Sequence, residues 1–129
     1  MDKEQALHHF WSQFGVPAFD QNTVPDEKDF EDMGLSPYPR ITYEVGVDNI
    51  EAQRILNASI WDRSSSWSGV TQICHRVEAT LGLGGQTIPY EGGMLWVKRG
   101  MPFAQRMGDT DDSIRRIALN IEVEFISEV

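Results

Sequence analysis

Two histidines, His8 and His9, stand side by side near the amino terminus, and clustered imidazoles are a common start of a metal site. Consecutive residues of a helix point about 100° apart, so this pair cannot grip one ion together. Cys74-His75 invites a thiolate–imidazole reading, and the same geometry separates the two side chains. Cys74 also falls on an apolar stripe, where a free cysteine behaves as a small hydrophobe. Gly82, Gly84 and Gly85, followed by Gln86-Thr87, resemble the glycine-rich start of a phosphate loop. The Gly-Lys-Ser/Thr ending is missing, and a helix precedes the run where a strand is required. Asp26, Glu27, Asp29, Glu31 and Asp32 offer oxygen ligands, but without the loop glycine and terminal glutamate at EF-hand spacing they read as a solvated charge run. Glycoside hydrolysis needs two convergent carboxylates, and no spacing here nominates a pair. The chemistry expected is therefore none: no enzyme, no cofactor and no metal.

The residues that stand out suit contact instead. Trp96 lies on the strand face opposite Leu95 and Val97, and Trp61 opposite Leu56, Ala58 and Ile60. Either these tryptophans form an exposed aromatic patch of the kind that marks a protein contact, or both sheet faces are covered and they are ordinary packing. Lys98, Arg99, Phe103, Arg106, Arg115 and Arg116 mix arginine with an aromatic, a composition enriched at interface hot spots and also found at solvated hairpin tips.

The pattern along the chain says what must hold these residues. Leu7, Phe10, Trp11 and Phe14 share one helical face, and Gly15 with Pro17 stops that helix. Residues 15–39 are polar, acidic and broken by prolines, which predicts a long acidic loop or arm. Ile41, Tyr43, Val45 and Val47 alternate as a strand, Asp48-Asn49 marks a turn, and a second strand covers Arg54 to Asp62. Ser64-Ser65-Ser66 offers N-cap hydroxyls to a helix whose stripe is Trp67, Val70, Cys74, Val77 and Leu81, with Gly82 ending it. Gln86 to Tyr90 and Met94 to Arg99 flank a Glu91-Gly92-Gly93 turn as a hairpin. A loop is expected from Gly100 to Asp112. In the last segment, Ile117, Leu119, Ile121, Val123 and Phe125 face one way and Arg116, Ala118, Asn120, Glu122 and Glu124 the other, as in an antiparallel sheet covered on one side. The fold class expected is α+β, a mainly antiparallel sheet of four to five strands packed by two helices, in a single domain over residues 1–129.

Its 129 residues are enough for one core and contain no repeat or linker. No apolar run approaches the roughly 20 residues that cross a bilayer, and the Met1-Asp2-Lys3-Glu4 start has no secretory pattern. A single cysteine forms no internal disulfide, so the expectation is a reducing, intracellular setting. A net charge of −9 argues against phosphate-backbone binding. The charge is uneven: residues 1–32 hold eight acids and two bases, whereas residues 98–116 hold five bases and three acids. Opposed patches on one chain fit head-to-tail self-assembly. The residues expected at such an interface are Trp96, Lys98, Arg99, Phe103, Arg106, Arg115 and Arg116 on the basic side and Asp26, Glu27 and Asp29 on the acidic side.

Three runs carry a resemblance: LNASIWDRSSSW (56–67), IPYEGGMLWVKRGMPFAQRMGD (88–109) and IRRIALNIEVEF (114–125). They resemble small minor structural proteins encoded in the tail-assembly regions of tailed phages and prophages of Gram-positive bacteria, above all the tail-terminator or tail-completion group. The resemblance covers most of the chain after about Pro39. It implies a virion protein of the tail or neck, assembled in the host cytoplasm. Such a protein forms a ring, usually of six copies, on the head-proximal end of the tail tube. There it stops tube growth and meets the head-side connector or stopper, while DNA passes through the lumen without specific binding. The resemblance assigns no functional residue. The alternatives are a head-completion or connector-stopper protein of the neck and, in a different class, a small cytoplasmic ligand-binding or hydrolase domain.

Overall fold

The computed structural model describes residues 1–46 and 53–127. A capping box starts the first helix, α1 (Lys3–Trp11): the Asp2 carboxylate accepts from the Gln5 amide, and the Gln5 side chain accepts from the Asp2 amide, both at 2.8 Å. This satisfies two of the amides that a helix start leaves open. A 3-10 turn follows at Ser12–Phe14 and closes on Gly15, whose φ of 80° glycine adopts without a Cβ clash. The remaining elements are β1 (Ala18–Asp20), α2 (Glu27–Asp32), β2 (Arg40–Tyr43), β3 (Gln53–Arg63), α3 (Ser68–Leu81), β4 (Gln86–Tyr90), β5 (Gly93–Met107) and β6 (Ile114–Ser127).

The strands form one six-stranded sheet in the order β1-β2-β3-β6-β5-β4, antiparallel except for the parallel β1–β2 pair. The alternation of β6 sets the register: Leu119 lies opposite Ala58 on β3, and Ile121 opposite Leu56. On the other side Val123 lies opposite Val97 of β5, and Phe125 opposite Leu95. These residues bury one sheet face under Leu7, Phe10 and Trp11 of α1 and Val70, Ile73, Cys74, Val77 and Leu81 of α3. Arg76 of α3 donates to the Phe14 carbonyl at 2.9 Å and ties the two helical pieces together.

The α+β class and the helix over 68–81 agree with the sequence pattern, as does the 86–99 hairpin. The counts differ: the described residues form six strands and three α-helices. The additions both lie in the 15–39 segment, which is therefore not without elements. Within it Phe30, the buried residue of α2, is fully covered and meets Phe19 edge to face at 5.3 Å. Asp26 caps α2 by accepting from the Asp29 amide at 2.8 Å. A single aromatic anchor leaves no periodicity to read, so the pattern gave no helix.

The loop expected from Gly100 to Asp112 also differs. β5 runs on to Met107 through a bulge: Arg99 pairs with Ile121 and Ala104 with Leu119, so the four residues between them on β5 stand against one, Asn120, on β6. Pro102 sits in the bulge, where a missing amide costs the ladder nothing, and its carbonyl accepts from Asn120 Nδ2 at 2.8 Å. A Cβ on Gly100 would approach the Asn120 carbonyl oxygen to 2.8 Å, which is why glycine stands there. For α3, the serines cap by a different route. Trp67 is the N-cap without a side-chain bond, and Ser66 Oγ accepts from the Ser68 amide at 3.1 Å. Val47 and the Asp48-Asn49 turn lie outside the described residues.

Candidate assembly surface

The residues first weighed for chemistry take up structural roles. His8 Nδ1 lies 2.8 Å from the Tyr43 hydroxyl and its Nε2 3.2 Å from Ser12 Oγ, so this ring is engaged locally, while His9 is exposed. Cys74 is buried, and burial pushes its thiol pKa up, away from the reactive thiolate. A side chain at Gly85 would run into the Val97 carbonyl, which accounts for that glycine by close strand approach. Among the described residues, no group of three or more His, Cys, Asp or Glu side chains could hold a metal ion.

Three of the four tryptophans carry cations. Lys98 Nζ sits 4.0 Å over the Trp96 ring, whose Nε1 donates to the Gly84 carbonyl at 2.9 Å. Arg116 faces Trp61 directly across the β3–β6 ladder, with its guanidinium 4.7 Å from the ring. The Trp61 Nε1 donates to Thr42 Oγ1 at 2.9 Å. Trp67, at the start of α3, has Arg106 at 4.7 Å and Arg115 at 5.5 Å. Stacking on a ring fixes a long cationic side chain in place and lowers the entropy it would lose on meeting a partner. Trp61 and Trp96 are half-buried on the face away from the helices, so the alternatives of patch and packing both hold in part.

The predicted acidic side behaves differently. Asp26 is spent on its helix cap, and Glu27 pairs with Arg63 at 3.2 Å. Arg63 also reaches Asp111 at 3.3 Å and Ser113 Oγ at 2.7 Å, and its guanidinium lies 5.2 Å from the Tyr38 ring. Arg40 covers the same ring at 4.8 Å. Bonds from Ser113, and then the Arg63 charge, hold the Asp111 carboxyl below the usual carboxylate range. This arginine–tyrosine corner fastens the 21–39 connection to the sheet. Asp29, together with Glu31 and Asp32, stays exposed.

The sheet order puts the two charge groups apart. The acidic connection joins β1 to β2 at one edge. Lys98 and Arg99 lie on β5, where β4 has already ended, since β4 pairs only with Gly93 to Val97. Lys98 and Arg99 thus sit toward the edge opposite the acidic connection, whereas Arg115 and Arg116 lie on β6 in the middle of the sheet, against β3.

Sequence reasoning missed the most exposed apolar side chains. Leu83 is 96% exposed and Met101 92%, and both line an open groove of about 460 Å³ with Lys98, Arg99, Pro102 and Phe103. The available signal was a large apolar residue flanked by turn-forming glycine or proline, as in Gly82-Leu83-Gly84 and Gly100-Met101-Pro102.

No protein-family model and no curated protein matches the chain. Among solved structures, a chain of the "Virion of native gene transfer agent (GTA) particle" matches it with a TM-score of 0.58. The identity is 14%, and the match covers 95% of this chain and 93% of that one. At that identity the likeness is one of fold, and it runs essentially end to end.

Proposed function

We propose that this protein is a structural component of a tailed-phage or prophage particle: a tail terminator that assembles as a six-membered ring on the head-proximal end of the tail tube. It ends tube growth, offers its other face to the head-side connector or stopper, and lets DNA pass through the lumen without specific binding. The carrying observation is the end-to-end likeness of fold to a chain of a virion particle. The 56–67, 88–109 and 114–125 runs support the terminator assignment through their resemblance to that group. Charges of opposite sign toward opposite sheet edges support a heterologous interface, the type that closes into rings. The protein then acts by fitting against copies of itself and other virion parts, not by turning over a substrate.

Negative-stain images of particles made with and without the gene test this reading. Overlong tail tubes in its absence are the expected result. Normal-length tails detached from filled heads would replace termination with the head-completion role. Normal particles in full yield would overturn both.

A further inference from the structure

The groove between the α3–β4 loop and the β5 bulge has an unusual make-up. Leu83 and Met101 stand almost entirely in solvent, and partly buried Phe103 packs against the core. Lys98 and Arg99 stand beside them, and Glu122 reaches the same groove, leaving it with an excess of positive charge. At the other edge of the sheet, just after α2, the chain presents a matching set. Met33 is 53% exposed and Leu35 49%, and the exposed acids Asp29, Glu31 and Asp32 precede them. Of the bases close by, Arg63 is taken up by Glu27 and Asp111 and Arg40 lies on the Tyr38 ring, which leaves Lys28 on the segment itself. One molecule cannot bring these sets together, because four strand spacings, about 19 Å, separate β1 from β5.

We infer that the Leu83/Met101 groove of one copy receives the Asp29–Leu35 segment of the next, with Met33 and Leu35 against Leu83, Met101 and Phe103 and the acids toward Lys98 and Arg99. This rests on the ring reading and names its contact. Two apolar pairs, each too exposed to serve the fold, cover one another, and their charged flanks fix the direction. The donor segment is held ready by the burial of Phe30 and by the Tyr38 corner, so little ordering is required on docking.

Disulfide trapping tests it in the full chain. The one native thiol, Cys74, is buried, and the positions of Leu35 and Met101 are exposed, so introduced thiols are read against a low background. An equimolar mixture of L35C and M101C protein, oxidised mildly at millimolar concentration, is expected to yield a cross-linked heterodimer. Its yield should be at least tenfold above that of either variant alone. Adding R99E to the M101C partner lowers the yield about tenfold, and adding D32K to the L35C partner restores it. No heterodimer, or equal yields from the single variants, overturns the contact. Sedimentation of the wild-type chain separates the two readings. Higher-order assembly without the cross-link rejects this groove and keeps the ring. A specific cross-link in a protein missing from purified particles keeps the groove and rejects the virion role.

Discussion

Single side chains decide how the sheet edge near β2 responds to pH. Tyr43 is buried beneath α1, and burial, then the Asp20 and Glu4 charges, push its pKa up to about 12. A folded-state pKa above the unfolded value means that the neutral phenol favours the fold. That stability is complete below about pH 10, the ordinary tyrosine value, and is lost as pH rises toward 12. Thermal melts between pH 9 and 12 should therefore fall more steeply for the wild type than for Tyr43→Phe; parallel curves would remove Tyr43 as the cause. The acid side has the opposite sign. Asp111 is held below its unfolded value, so its contribution is present above about pH 4 and fades as pH falls through the depressed pKa. Proteolysis within residues 21–39 should accelerate there, and in Asp111→Asn it should already be faster at neutral pH. The tyrosine and aspartate were visible in the sequence, but their partners were not. Tyr43 meets His8 from 35 positions away, and Arg63 meets Asp111 from 48. Pairing at such separations is a product of how α1 packs on the sheet and where the β5–β6 connection lands, which no local spacing encodes.

Elements were legible in proportion to how often a pattern repeats. β6 alternates over fourteen residues and α3 shows its stripe over fourteen, and each was bounded to within about two positions. β1 has three residues and α2 six, each shorter than the window in which a period can be seen. The β5 bulge hid itself in another way. Gly100 and Pro102 are turn-forming residues, and nothing local says that the strand resumes at Ala104 in register with Leu119. Placing a methyl at Gly100 forces the Asn120 backbone away, so Gly100→Ala should cost on the order of 1–3 kcal/mol, read as a lower urea midpoint at unchanged slope. Truncating the α2 anchor by Phe30→Ala should cost about 3–5 kcal/mol if the corner folds together with the sheet. A much smaller loss, with rapid cleavage in residues 21–39, would show instead that this corner opens independently.

For the proposed ring, the decisive quantity is the number of copies that must be intact at once. A closed ring uses every subunit twice, once through its groove and once through its donor segment, so one blocked groove leaves a gap. Met101→Glu places a like charge against the acids of the incoming segment, while the native side chain is 92% exposed and contributes little to the fold. When the variant and the wild type are produced together in equal amounts and mix at random, the share of rings made wholly of wild-type copies is one half raised to the copy number. For six copies that is about 2%, against 50% for a protein acting as independent monomers. The fraction of tails of normal length, counted in negative stain as the variant share is raised stepwise, should follow the sixth power of the wild-type fraction. A linear fall would show that copies act singly and would end the ring account. A square law would reduce the assembly to pairs, in which a groove on one edge and an acidic segment on the other would leave one of each uncovered.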